Sequence, residues 1–335
     1  MNELALKKAV ALPAKEDRSK LWFCFRLGFG AFLLIILFRM IDFERLWLTL
    51  TSANLQLIVV GLLAMMLNFL VKTYRWGSIL RIQSSNISFI QLARLNFLSL
   101  FIGNFLPTSL SYDIVRIYYV SQRAADPRIA ISSIVADRVI GNFSIAISAI
   151  LAFGILKLAG PLQIETLLSL GIVVFLLLSL ALPLALWNEV IVEGVRSLLN
   201  RFTGRRLFES VQDLAEHLLL YWKQAPLMST ALALAFLNLL IAVLEFYLIA
   251  QAFSAQVSLG YFFLFIPLVI LLSMLPVSVG GIGLVEAGLV FFFAKVGMPA
   301  EMCLSIALIH RALQLICVLP GGAIYVVESV PRIAT

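Results

Sequence analysis

Charge is what this chain most lacks. Only 13% of its 335 residues are Asp, Glu, Lys or Arg, while 62% are hydrophobic, and the mean hydropathy is +1.03. A soluble domain of this size cannot be built with so little polar surface, which excludes a water-soluble enzyme or a cytosolic binding module. Histidine is nearly absent: His217 and His310 are the two, and neither has a second ligand nearby in sequence, so no metal site is expected. The three cysteines, Cys24, Cys303 and Cys317, sit in apolar runs without paired spacing and read as small buried hydrophobes. Also missing are a Ser/His/Asp arrangement, an HExxH and the Asp-x-Asp that holds metal–nucleotide sugars. Gly280-Gly281-Ile282-Gly283 follows no strand and lacks the P-loop lysine, so it is no nucleotide loop. Neither catalysis nor a cofactor is expected from this inventory.

What the chain does have is apolar length. Leu21–Phe38, Leu55–Val71, Val139–Leu158, Thr166–Trp187, Leu227–Ala250 and Cys303–Val327 read as full membrane spans, near the roughly 17–25 residues a bilayer requires. The basic leader before Leu21 is long and no small-residue cleavage site follows the first apolar run, so that run reads as a first span instead of a cleaved signal. The net charge of +7 fits loops that face an anionic leaflet and is not a nucleic-acid footprint.

Two further apolar segments are broken. The first reads Asn104-Phe-Leu-Pro107-Thr-Ser-Leu-Ser-Tyr-Asp113-Ile-Val-Arg116, and the second Met274-Leu-Pro276-Val-Ser278-Val-Gly280-Gly281-Ile-Gly283-Leu-Val-Glu286. Proline removes a helix donor and crowds the preceding turn, and the neighbouring Gly and Ser loosen the backbone further. Irregular backbone at membrane depth is tolerated only where protein buries it or water reaches it. Paired breaks in corresponding halves of a chain point to a transporter's substrate site.

The basic residues orient these segments. Lys7, Lys8, Lys15, Arg18, Lys20 and Arg26 place the N-terminus in the cytoplasm, and the loop Arg39–Asn54, balanced by Asp42 and Glu44, suits the outside. Both flanks of the first broken segment are basic, Lys72 to Arg94 before it and Arg116 to Arg138 after it. A re-entrant hairpin with Pro107 near its tip satisfies both, whereas a proline-kinked span would break the charge rule on one side. Residues 188–226 form a cytoplasmic connector, either an amphipathic helix on the membrane surface or a solvated segment under the bundle. The flanks of the second broken segment, Gln251–Gly260 and Gly297–Met302, carry almost no charge and suit the outside. The expected architecture is all-α, a single polytopic membrane domain over 1–335. About six spans and two re-entrant hairpins form an inverted repeat, 21–158 and 166–327, each half being two spans, a hairpin and a span. Pro107 and Pro276 stand 169 positions apart, and little else matches between the halves at residue level.

Charges inside apolar sequence face the bundle interior, where they pair or serve function. Asp113 and Arg116 are one turn apart and can pair with each other. Asp137-Arg138 opens the third span, an interfacial position that needs no special role. Glu286 follows the glycines, and Arg311 lies too deep in the last span to reach the surface. Glu286 and Arg311 either lock hairpin to helix or meet an anionic head group by turns, and Arg116 and Arg138 are the other cations suited to a phosphate. Half-helix N-termini at the breaks add partial positive charge.

Asn104-Phe-Leu-Pro107 with Asp113 and Arg116, Asp137-Arg138 with Gly141, Leu-Pro276-x-Ser278-x-Gly280-Gly281-x-Gly283-x-x-Glu286, then Arg311 and Pro320-Gly321-Gly322 resemble the lysylphosphatidylglycerol synthase transmembrane family, also called flippase-like domain proteins. The resemblance runs from about Leu21 to Val327, with Tyr112 standing where the family usually has glycine. It implies a multi-pass protein of the bacterial inner membrane, termini in the cytoplasm, that moves a lipid between leaflets. It implies no aminoacyl transfer, because the soluble transferase domain of larger members is absent. Substrates implied are a phospholipid, a glycolipid, or a polyprenyl-linked or hopanoid lipid, with Asn104, Pro107, Asp113, Arg116, Arg138, Pro276, Ser278, Gly280, Gly281, Gly283, Glu286 and Arg311 around it. A homodimer and contacts with cell-envelope biosynthesis enzymes are further expectations. Two other readings are an intramembrane transferase using Asp113 or Glu286 as base, and a scaffold docking such enzymes through 188–226.

Overall fold

The structure, a computed structural model, describes residues 42–83, 87–105, 111–121, 127–158, 224–275 and 277–329, with scattered positions between 28 and 39 and at 173, 177, 218, 220 and 221. The described residues are helical, without a strand. The expected span Leu21–Phe38 is helical at the described positions 28, 29 and 31–37, while nearly all of Thr166–Trp187, most of the connector, Pro107 and Pro276 lie outside the described residues.

The chain enters through a helix that hydropathy does not announce. Helix α1 (Phe43–Thr51) stands where a loop was expected, because the Asp42 side chain accepts from the backbone N–H groups of Glu44 and Arg45 and so satisfies the first turn. Its Leu46 packs on Leu304 of the last helix. Asn54 caps α2 (Leu55–Leu80) in the same way through Gln56 and Leu57. At 26 residues α2 is about 39 Å long, more than the ~30 Å hydrocarbon core.

The first broken segment is a pair of short helices, α3 (Phe89–Phe105) and α4 (Ser111–Ser121). Near its start α4 carries Tyr112, whose hydroxyl donates to Asn96 Oδ1 at 3.0 Å, so the two arms fold back as an antiparallel hairpin. Helix α5 (Pro127–Leu158) follows. It begins well before the expected Val139, so Asp137 and Arg138 lie inside a helix and do not open one.

The second part repeats this order. Helix α6 (Ala225–Ala252) precedes α7 (Leu259–Ser273) and α8 (Leu284–Ala294), and α9 (Ala300–Ser329) closes the bundle. The arms of this hairpin also run antiparallel: Phe262 and Phe265 of α7 stack against Phe293 and Phe292 of α8, and Gly288 gives room for Val269. Four helices, α2, α5, α6 and α9, are long and apolar enough to cross a membrane. Leu55, Leu63 and Leu67 on α2 and Leu315, Leu319 and Val327 on α9 are each more than half exposed. Water would penalise such faces heavily, at about 25 cal/mol per Å² of apolar surface, and lipid does not. The chain is a membrane-embedded, multi-pass helical protein.

Packing follows the same doubling. Helices α2 and α6 run antiparallel: the Asn54 N–H donates to Ala252 O at 2.8 Å at one end, and Ile79 meets Ala231 and Ala235 near the other. Where they cross, Asn238 donates to Asn68, at its carbonyl (2.8 Å) and at its side chain. Hairpin arm α3 packs on α9, and arm α7 packs on α5, so each hairpin leans on the last helix of the other half. At Gly321 the contact is backbone to backbone, since a Cβ there would lie 2.0 Å from the Phe97 carbonyl oxygen. That is a physical reason for the glycine pair after Pro320. Cys303 and Cys317 are buried among apolar side chains, as expected.

Candidate functional site

The intramembrane charges sort into two sets, one in each half, and among the described residues no hydrogen bond or ion pair joins them.

The first set gathers α2, α4 and α5. One oxygen of Asp113 takes Arg116 Nη1 at 3.2 Å, and the other takes Arg138. Asp137 accepts from Arg75 Nε at 2.8 Å and lies 3.9 Å from Arg116 Nη1. Arg116 is 1% exposed, and its guanidinium lies 3.7 Å above the Trp76 ring and 4.8 Å from that of Tyr112. Its Nε and Nη2 have no hydrogen-bond partner. Lys72, 5.4 Å from the centre of the same Tyr112 ring, lies within electrostatic reach of Asp137, Arg75, Arg116 and Asp113. Four cations thus face two carboxylates. Tyr112 supplies one wall of the Arg116 cage.

The second set is built on the glycine-rich loop between α7 and α8. Gly280, Gly281 and Gly283 have φ of 59°, 71° and 83°, in the left-handed region where a Cβ is strained. The chain can therefore turn sharply enough for Glu286 to reach back and accept from its own Gly283 N–H at 2.8 Å. The other Glu286 oxygen takes Arg311 Nε at 3.0 Å, and Arg311 Nη1 donates to Gly280 O at 3.2 Å. Arg311 thereby holds loop and helix start at once. Arg311 Nη2 and the buried Ser278 Oγ have no partner. One residue earlier, His310 Nδ1 lies 2.7 Å from Glu245 Oε1 of α6.

Of the expected site residues, Asp113, Arg116 and Arg138 come together in the first set. Ser278, Gly280, Gly281, Gly283, Glu286 and Arg311 lie in or against the loop of the second. Asn104 sits exposed at the end of α3, and no bond joins it to either set. Seven participants were missed as site residues: Lys72, Arg75, Trp76, Tyr112, Asp137, Glu245 and His310. Lys72 and Arg75 counted only toward orientation, and Asp137 was assigned to an interface. A usable signal for Glu245 was there: a lone acid at the centre of a long apolar run.

Residues 23–322 match the family described as the lysylphosphatidylglycerol synthase TM region. A UPF0104 membrane protein of Pyrococcus horikoshii is 22% identical over 303 residues, which is 85% of this chain and 90% of that protein.

Proposed function

We propose that this chain, which belongs to the lysylphosphatidylglycerol synthase TM region family, carries a lipid with an anionic head group from one leaflet to the other and performs no chemistry on it. The observation that carries this reading is the Arg116 guanidinium, 1% exposed, which offers Nε and Nη2 unpaired. Unpaired buried guanidinium N–H groups are costly, and a phosphate oxygen satisfies them with the strongest kind of hydrogen bond available. The aromatic rings of Trp76 and Tyr112 hold the guanidinium in place while it exchanges partners.

In this reading both hairpins are re-entrant. Neither α7 nor α8, at about 22 and 16 Å, reaches across the ~30 Å core, and their polar link needs shelter from lipid. The antiparallel α2–α6 pair and the repeated element order support an inverted repeat about an axis through Asn68 and Asn238, with a hairpin entering from each face. The basic flanks of the first hairpin set its face as cytoplasmic, in a bacterial inner membrane with both termini inside.

Proteoliposomes with fluorescent phosphatidylglycerol or phosphatidylcholine in one leaflet test this. Phosphatidylglycerol should equilibrate faster than in protein-free vesicles and faster than phosphatidylcholine. R116Q, shown to fold by circular dichroism, should slow it at least about tenfold, the loss of one charge-assisted contact. Equal rates with and without protein would sink the reading. New lipid species in mass spectra of the same vesicles would replace it with an intramembrane transferase.

A further inference from the structure

The two charge sets are copies of one plan at residue level, although the linear sequence hides it. Asp113 and Glu286 each stand near the start of a second hairpin arm, and each pairs with an arginine 25 residues further on, Arg138 and Arg311. Both acids and both arginines are 173 positions apart. The residue just before each arginine also pairs, in each half, with the first long helix: Asp137 with Arg75, and His310 with Glu245. In the second half the acid is on the first long helix and its partner is a histidine. That is the one place where the copies differ in kind: the first half carries arginine, which is always charged, and the second an imidazole.

We infer that Glu245 and His310 form a proton site that controls anion binding at the Arg311–Ser278 loop, so that the second half holds a head group only with a proton beside it. This rests on the translocation reading above and adds its coupling ion. With His310 protonated, Glu245, Glu286, His310 and Arg311 sum to zero; without that proton they sum to −1. The donors open to an oxyanion, Arg311 Nη2 and Ser278 Oγ, are the same in both states. An incoming phosphate therefore meets either a neutral site or a repelling one. His310 directly precedes Arg311 on α9, and one unit of charge on a neighbouring residue away from water changes anion affinity by about tenfold. By linkage the anion raises proton affinity by the same factor. The first set, with its fixed excess of positive charge, has no such dependence. Head-group transfer from the first half to the second then takes a proton with it.

The surroundings of His310 are suited to this. Its ring stacks on Phe246 at 4.3 Å, and Nε2 lies 3.0 Å from the amide nitrogen of the exposed Gln314, which donates to the neutral ring and must turn its oxygen toward the protonated one. From α6 it faces Glu245, from α8 Glu286 by way of Arg311, and on its own helix Arg311 and Cys317, the last within electrostatic reach of Glu245. The sides of α9 packed on α1, α2 and α3 meet Leu46, Gly61, and Phe97 with Phe101.

The test uses the full chain in nanodiscs with nitrogen-15 histidine, H217N removing the second signal. His310 should change protonation between pH 5 and 9. Its midpoint should rise by about one unit, the tenfold linkage factor, when phosphatidylglycerol replaces phosphatidylcholine. R311Q must abolish that rise, since a surface-potential effect would persist in it. In vesicles, H310Q should flatten the pH dependence of phosphatidylglycerol movement. A midpoint equal in both lipids, a rise that survives R311Q, or an unchanged pH dependence in H310Q overturns the proton site. Failure of any lipid to move overturns the translocation reading instead, and the nuclear resonance titration still decides the proton site.

Discussion

Glu286→Gln is the sharpest probe of how the glycine loop is held. The carboxylate is 3% exposed and both oxygens accept, one from Gly283 N–H at 2.8 Å and one from Arg311 Nε at 3.0 Å. Glutamine has the same shape but only one acceptor, so one contact becomes a donor facing a donor. Losing a charge-assisted bond costs about 1.5–3 kcal/mol, and removing one partner of a buried pair about 3–5 kcal/mol. Arg311 is 26% exposed and keeps Gly280 O, which moves the expectation to the lower end, about 2–3 kcal/mol. Reversible unfolding by SDS titration in mixed micelles measures it. The double variant E286Q/R311Q should lose less than the sum of the single variants by about 1 kcal/mol or more, as groups in contact do. An E286Q variant within about 0.5 kcal/mol of the parent, or strictly additive effects, would refute the account of the loop as clamped by this pair.

Asp113→Asn should cost less, about 1–2 kcal/mol in the same assay, because Arg116 retains Asp137 at 3.9 Å and Arg138 is 43% exposed. A loss equal to that of E286Q would count against this. Gly321→Ala should destabilise despite the ~1 kcal/mol that alanine gains in a helix, since its Cβ would sit 2.0 Å from Phe97 O and overpacking costs about 1–3 kcal/mol or more. A stabilised G321A would mean that α3 and α9 are not in backbone contact. Cysteines at Ser121 and Gln256, with the native thiols replaced, should react with an impermeant maleimide from opposite sides of the membrane. Labelling from one side only ends the inverted-repeat proposal.

The helices and their breaks were legible in the sequence because hydropathy, proline and glycine act locally. Leu227 and Cys303 begin apolar runs that become α6 and α9 within a few residues of the expected ends, and α2 starts at the expected Leu55 but runs on past Val71 to Leu80. Helix α7 ends at Ser273, ahead of the glycine loop as expected, and Glu286 with Arg311 pairs as its two open readings allowed. Hydropathy fails where a helix continues through polar residues. Ser132 and Ser133 return their hydroxyls to the carbonyls one turn back, so α5 runs on through sequence that reads as a loop. Asp137 thereby changes from an interfacial residue to a buried one.

Composition and local pattern determined by themselves that this chain is a helical membrane protein with two broken segments and a handful of costly charges. Which charge meets which was decided only by the tertiary structure. Arg75 and Asp137 are 62 positions apart, Glu245 and His310 are 65, and Asn68 and Asn238 are 170. Ion pairing is set by distance in space and by the absence of competing water, and neither is encoded in neighbouring residues. The correspondence proposed between the halves is hidden for the same reason: Asp113 and Glu286, or Asp137 and His310, share no letter and correspond only by their places on packed helices.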